Sequence, residues 1–401
     1  MPETLKVETI APHELGPSEQ SLWGSFAGAD ALYESPYFQP AYTLAAGAVA
    51  PHSRVAVLRR GERIDGFLPF QRRAGLVQPL AAPLTDYHGV VARPGARIDL
   101  TEVVEKLRAD EFRFSGLRTP DPSQVEGEVR AAMVADVSEG FDAYMAARKA
   151  LHPRFFKDKA RCERSLERDH GPLSYSFSRE EDGVLDWIIA LKRNQYRRTA
   201  RHDIFACGWT EALLRQLVET AEPAFGPRFA VLRCGGRIIA AEMSLAAGPV
   251  CHLWFPVYDP DYARYAPGML MTLHSVRGFA EEGGRLVDFG AEGEPYKAYF
   301  ADPAEPALTG AVTGRGWRAA CIRLAGQSTT SPAMRPLALA GQRLRRRFDV
   351  VAACETTRAG WLRGAAASLR AATRARNAAR SVCLGMTGGM CDLLPTVASV
   401  I

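Results

Sequence analysis

The 401-residue chain is 47% hydrophobic and 24% charged, a soluble globular composition with enough apolar side chains for two or three cores. Its first thirty residues include Glu3, Lys6, Glu8, Glu14 and Glu19, with no basic stretch leading into an apolar run, so the expectation is a cytoplasmic protein without a secretory signal. The eight cysteines (162, 207, 234, 251, 321, 354, 383 and 391) form no C-x-x-C pair and have no histidine at zinc-finger spacing, which points to free thiols and to no structural metal.

In chain order, the first clear element is VAVLRRGERI, Val55–Ile64, whose alternating apolar residues broken by a Gly-containing turn predict a β-hairpin. It returns as FAVLRCGGRI, Phe229–Ile238, with seven of ten positions identical at an offset of 174. After the first hairpin, DYHGVVARPGARIDL leads to a helix predicted at about 100–108 and to the strand EFRFSG, Glu111–Gly116. The same offset of 174 lays that strand on RLVDFG, Arg285–Gly290, which follows a longer helix predicted at about 269–282. Two copies of one β-β-(β)-α-β plan are therefore expected, in domains 1–138 and 139–331, followed by a tail, 332–401.

Between the hairpins lies a basic helical stretch in which Pro153 predicts a break or a new first turn. The strand LSYSFSRE follows, then the helices DGVLDWIIALKRNQYRRTARHDIF and WTEALLRQLVETA. In CHLWFPVYD, alternation places His252, Trp254 and Tyr258 on one face and Leu253, Phe255 and Val257 on the other. His252 reads most simply as a structural residue and Trp254 as packing.

DPDYARYAPGML sets Pro267 and Gly268 just before a helix whose first N–H groups have no intrahelical partner. Such a turn can receive a pyrophosphate, with Arg264 adding a charge-assisted contact; ordinary turn chemistry accounts for Pro-Gly equally well. DFGAEGEPYKAYF, Asp288–Phe300, then gathers Asp288, Glu292, Glu294, Tyr296 and Lys297 where a strand has just ended.

This order, and RYAPGMLMTLHSVRGFAEEGGRLVDFGAEGEPYKAYF in particular, resembles the CelD-like branch of the GNAT acyltransferases, found with cellulose and exopolysaccharide biosynthesis genes. The family's pattern meets the chain at Tyr265, Pro267, Gly268, Asp288, Phe289, Gly293, Tyr296 and Lys297. The resemblance spans roughly 53–323 as a tandem pair, a design shared with the Fem-type peptidyltransferases. It implies an α/β (α+β) fold of tandem GNAT-like domains, each a mixed, mostly antiparallel sheet flanked by helices; the Ala-, Leu- and Arg-rich composition of the tail predicts a helical or partly disordered segment. The resemblance also implies acetyl-CoA as co-substrate, its pyrophosphate at Arg264, Tyr265, Pro267, Gly268 and Met269 of the second copy. In the first copy Arg93-Pro94-Gly95 lies one residue out of register, so that copy is expected to help hold the acceptor instead.

Acetyl transfer to an amine requires a base, oxyanion donors and an acid for the leaving thiolate. Asp288, Glu242, Glu292 and Glu294 are base candidates, Tyr296 is placed to protonate the sulfur, and Lys297 to meet an acceptor phosphate or carboxylate; Asp288 capping its turn and Tyr296 packing are the plainer readings. The implied acceptor is an amino sugar, nucleotide-linked or lipid-linked, in exopolysaccharide or holdfast-type assembly. Arg197 and Arg201 would contribute to its groove, or form a solvated basic face, and Trp254 would stack on a sugar. A Fem-like enzyme using aminoacyl-tRNA, and a degenerate scaffold that senses an anion, are the alternatives.

The tail carries the basic character. From Pro332 to Ile401 there are eleven arginines, no lysine and three acids (Asp349, Glu355, Asp392), or +8, so the first 331 residues carry 5 − 8 = −3. Arg343, Arg346 and Arg347 are candidates for an anionic regulator such as a cyclic dinucleotide, and the inner-membrane surface is the other open partner; no specific nucleic acid is expected. The closing LGMTGGMCDLLPTVASVI holds Asp392 and Pro395 and lacks about 20 consecutive apolar residues, which argues against a transmembrane anchor.

Overall fold

The structure is a computed structural model and describes residues 3–199, 201–291, 293–317, 319–320 and 347–368. A first run comprises β1 (Leu5–Ile10), α1 (Pro17–Gly28), α2 (Pro40–Val49), β2 (Ser53–Arg60), β3 (Arg63–Arg73), β4 (Leu76–Pro79), the short β5 (Val91–Ala92), α3 (Leu100–Lys106), β6 (Glu111–Leu117) and β7 (Gly127–Asp136). α4 (Phe141–Leu151) and α5 (Pro153–His170) connect it to a second: β8 (Leu173–Ser178), α6 (Val184–Thr199), α7 (Trp209–Glu219), β9 (Phe225–Cys234), β10 (Arg237–Ala247), β11 (Val250–Tyr258), α8 (Pro267–Glu281), β12 (Leu286–Ala291) and β13 (Asp302–Thr313). The repeat is more complete than the hairpins suggested. Apart from β5, both runs read β-α-α-β-β-β-α-β-β.

Local chemistry places the boundaries. The repeated hairpins turn at Gly61 (φ +57°) and at Gly235 and Gly236 (φ +55° and +81°), which supply the left-handed backbone a tight hairpin requires. Pro153 opens α5 and Pro267 opens α8, where a missing N–H leaves no intrahelical bond unmade, and Gly171 stops α5 at φ +100°.

The sheet runs β1-β2-β3-β4-β6-β13-β7-β12-β11-β10-β9-β8, with β5 added against β3. This order is palindromic in the repeat. β7 ends the first copy yet pairs with β12 of the second, while β13, which ends the second, pairs with β6 of the first and with β7 at the centre. One continuous sheet results, and the largest core joins Trp23, Tyr37, Phe67 and Tyr87 of the first copy to Leu213, Phe229, Trp254 and Phe255 of the second. No helix among the described residues is long and apolar enough to cross a membrane.

Each copy contains one parallel pair that separates after a few residues. β11 and β12 meet at Val250↔Leu286, Cys251↔Val287 and His252↔Asp288; beyond these β11 stays with β10, and β12 goes with β7 through Ala291↔Ala132. In the first copy β4 and β6 meet only at Leu76↔Glu111 and Val77↔Phe112. There the chain fills its own opening: His88 N–H donates to the Gly116 carbonyl at 3.1 Å and Arg118 N–H to the His88 carbonyl at 2.8 Å. Gly116, at φ +89°, has no room for a side chain because a Cβ would overlap the carbonyl oxygen of Asp86.

Two details depart from the sequence pattern. An extra residue at Trp254 bulges β11, since Met243 faces Phe255 while the next residue, Ser244, faces Leu253. Trp254, Phe255 and Val257 consequently share one core, and simple alternation does not hold. The start of the tail is also docked: residues 347–354 and 358–368 are helical, Val351 and Cys354 are fully buried, and Asp349 pairs with Arg113 of β6 at 2.6 Å.

Gly116→Ala combines left-handed strain with a backbone overlap, and is expected to destabilise the protein by about 2–4 kcal/mol. Gly24→Ala, in α1 with nothing within 4 Å of its Cβ position, should instead stabilise by about 0.5–1 kcal/mol. Urea titration of both variants checks the contrast.

Candidate functional site

The parting of β11 and β12 has His252 on one arm and Asp288 on the other. Their side chains face the first copy, where the filled opening presents Asp86, Tyr87 and Arg118. His252 Nε2 lies 2.7 Å from Asp86 Oδ2, and its Nδ1 lies 3.6 Å from Asp288 Oδ1, an ion-pair separation beyond hydrogen-bond range. Asp288 Oδ1 accepts from the Tyr87 hydroxyl at 3.0 Å and from the Gly290 N–H at 2.7 Å, and Arg118 reaches its Oδ2 at 3.4 Å. The Arg118 guanidinium stacks 3.7 Å above the Tyr87 ring, and Tyr37 closes the other side, 5.1 Å from the imidazole centre.

Burial opposes charge on His252, but Asp288 and Asp86 outweigh it and raise the imidazole to about 9, so the ring is an imidazolium at neutral pH. Burial likewise pushes the Asp288 carboxyl up, yet His252, Arg118 and the Gly290 N–H together hold it below the usual range. Of the three side chains, His252 is wholly buried, Asp288 is 4% exposed and Asp86 is 23% exposed. Only Asp86 opens to the outside.

Lys297 reaches this opening from the far side of the Pro295–Tyr299 turn. Its Nζ donates to the Ala291 carbonyl and pairs with Glu294, both at 2.8 Å, and lies 3.7 Å from where a Gly290 side chain would begin. The α8 side of the sheet carries a second buried group: Ser275 Oγ donates to Glu242 Oε2 at 2.9 Å. Burial raises Glu242 to about 7, with Ser275, Lys192 and His252 pulling the other way. Lys192 of α6 is lowered to about 8 by burial, against the attraction of Glu242. Tyr296 is raised far above its ordinary value by burial, then by Glu242 and Glu294, and stays a neutral phenol. Glu292 lies outside the described residues.

At the proposed pyrophosphate turn, no side chain caps α8, whose N-cap Ala266 is left-handed at φ +53°. Its counterpart α3 is capped by Asp99, which accepts from Thr101 N–H at 2.8 Å and puts a carboxylate where an anion would sit. Gly268 brings the α8 backbone against Tyr258, whose ring would lie 3.3 Å from an added Cβ. Pro267 is buried, and Met269 packs beside the core under β12. Arg264 is exposed but paired with Asp169 at 3.6 Å and hydrogen-bonded to the Tyr265 hydroxyl. Tyr265 is buried, its hydroxyl donating to Asp169 at 2.8 Å, which makes it an anchor for the turn.

The remaining candidates are dispersed. Trp254 is buried between the copies with its Nε1 donating to the Leu84 carbonyl at 3.0 Å, so its ring serves the interface. Arg197 is exposed at the end of α6 and bonded to Asn194; Arg201, also exposed, acts on Lys192. Arg347 sits in the docked tail helix, and Arg343 and Arg346 lie outside the described residues. Sequence reasoning missed Asp86, Tyr87 and Arg118 and set His252 aside. The available signal was DYH, a polar and aromatic cluster inside an otherwise apolar, Pro- and Gly-punctuated loop.

Residues 153–298 match the family model described as Acetyltransferase (GNAT) domain, from the start of α5 to the Tyr296-Lys297 turn. No curated protein sequence matches the chain. Among solved structures, a tandem GNAT protein from the clavulanic acid biosynthesis pathway is similar with a TM-score of 0.47 and 11% identity, over 78% of this chain and 99% of that one. FemX is similar with a TM-score of 0.45 and 10% identity, over 76% and 96%. The C-terminal DUF2156 domain of a candidate lysylphosphatidylglycerol synthetase from Agrobacterium fabrum has a TM-score of 0.46 and 11% identity, over 78% and 96%. By the family model the matched residues are GNAT-like, and the fold as a whole is mixed α/β, one large mixed sheet flanked by helices.

A histidine raised from 6.5 to about 9 stabilises the fold fully below its unfolded value and loses that contribution as pH rises through about 9. The shift corresponds to about 3 kcal/mol. Unfolding free energies measured from pH 6 to 10 should fall across this window in the wild type, and His252→Gln should lack that segment of the decline.

Proposed function

We propose that the chain is a coenzyme A-dependent N-acyltransferase whose donor, acetyl-CoA, lies between β11 and β12. The observation that carries this reading is the parting of the parallel pair at His252 and Asp288 beside the uncapped start of α8. Past the parting, β11 has no β12 partner on that edge, so its backbone is placed to bond an extended pantetheine chain. The α8 N-terminus offers N–H groups and a favourable dipole to the pyrophosphate. In the first copy the corresponding opening is filled by its own chain and α3 is capped by a carboxylate.

The acceptor nitrogen attacks the thioester carbon, the C–N bond forms, the C–S bond breaks, and the thiolate takes a proton. Tyr296, kept neutral by its surroundings, is the proton donor to sulfur. Asp288 has its lone pairs directed at Tyr87, Gly290 and Arg118, so it acts here as the anchor of His252 rather than as the base. The CelD-like resemblance supports a nucleotide-linked or lipid-linked amino sugar of exopolysaccharide assembly as acceptor, with Lys297 and the cationic end of α6, including Arg201, meeting its phosphates. In the same reading, contact of the arginine tail with the inner-membrane surface brings the enzyme to lipid-linked acceptors.

Calorimetry should show acetyl-CoA binding that Gly268→Asp weakens at least tenfold, because a carboxylate is then set at the helix start. Tyr296→Phe should bind the donor normally and lower kcat about 100-fold. Failure of the wild type to bind any coenzyme A thioester would overturn the proposal, and saturable binding of aminoacyl-tRNA or a cyclic dinucleotide in its place would support a Fem-like transferase or an anion sensor respectively.

A further inference from the structure

We propose that Asp86, contributed by the first copy, is the proton acceptor for the second copy's reaction, with His252 as its fixed counter-ion. The inference rests on the acyltransferase reading and names the group that reading leaves open.

A base must reach the acceptor nitrogen, and His252 is fully enclosed between two carboxylates, so it cannot. Asp288 is spoken for by Tyr87, Gly290 and Arg118. Glu242 is buried on the α8 side beneath Ser275. Glu294 is paired with Lys297 at 2.8 Å. Among the described carboxylates of the opening, Asp86 is the one that combines exposure with a fixed orientation: its Oδ2 receives the His252 Nε2–H at 2.7 Å, which leaves Oδ1 for a substrate. Its backbone is pinned by the close approach to Gly116, and Gly290, lacking a side chain, keeps the space beside it clear, with Asp86 Oδ2 3.9 Å and Lys297 Nζ 3.7 Å from its Cβ position.

The groups that face His252 are Asp86, Tyr37 and Tyr87 from the first copy and Asp288 from β12, with Arg118 behind Asp288 and Glu242 acting across β10. The resulting imidazolium, raised to about 9, cannot itself accept a proton at neutral pH and fixes the Asp86 side chain through the 2.7 Å contact to Oδ2. In the step, Asp86 Oδ1 takes a proton from the attacking amine as the C–N bond forms. The C–S bond breaks, Tyr296 supplies a proton to sulfur, and both groups exchange with solvent to restore the resting state.

Asp86→Asn keeps the shape and hydrogen-bonding capacity of the side chain but removes the base. CoA release from acetyl-CoA is followed with UDP-glucosamine, glucosamine and hydroxylamine as amine probes, alongside donor Kd by calorimetry and the His252 titration by NMR. The expected result is at least a 100-fold fall in kcat with donor Kd unchanged, partial recovery in Asp86→Glu, and a His252 titration moved to lower pH in Asp86→Asn. Retention of kcat within threefold by a folded Asp86→Asn that binds donor overturns the assignment of Asp86 and leaves the acyltransferase reading standing. A wild type that binds no thioester overturns that reading and this one together, and a wild type that binds donor but releases no CoA with any of the three amines overturns the assignment.

Discussion

Because β7 pairs with β12 and β13 with β6, neither copy can complete its sheet without a strand from the other. Everything at the site follows from this exchange. It fixes the register between copies to single residues, since each ladder bond on β7 and β13 constrains both halves. It also makes the core common to both, so that α1 and α2 of the first copy and α6 and α7 of the second pack over one sheet face. A pair of domains joined by a linker would not hold an aspartate within hydrogen-bond distance of a histidine 166 residues away.

That accuracy is what allows charge to be buried at the junction. An isolated ionised carboxylate or imidazolium in such a place would neutralise, because its desolvation exceeds any single contact. Here Asp288 is opposed by His252 and Arg118 and receives two hydrogen bonds, while His252 is opposed by Asp288 and Asp86. The cluster is internally compensated only when both copies are present. Specificity for the docked arrangement and fixed protonation states at the site are two consequences of the same four charged side chains.

The duplication was legible because hairpins are local: the segments at Val55 and Phe229 share their alternation and their turn glycine, and both properties are read within ten residues. The α8 start was legible for the same reason, as Pro-Gly before an apolar helix. Strand exchange was not, since which edge β7 selects depends on partners over 150 residues distant. Alternation failed at Trp254 because one bulged residue inverts every face assignment after it. Tyr265 and Trp254, given ligand contacts only by the resemblance, hold a turn and an interface through their polar atoms. His252 carried no local signal, because its partner Asp86 lies in the other copy.

The asymmetry of the copies now has a single physical origin. In the first copy, the chain after β4 turns back into the opening beside β6, which Gly116 permits by having no side chain. That packing puts the loop's own backbone where the second copy keeps an open strand edge. The same packing fixes Asp86, Tyr87 and His88 in one loop and presents the first two to the second copy, whose equivalent chain instead runs on through β11 to the bare start of α8. Closing one opening and equipping the other are therefore not separate adaptations. A substitution that reopened the first copy would release the loop that carries Asp86 and Tyr87, and the second copy would lose its counter-ion and its wall in the same event.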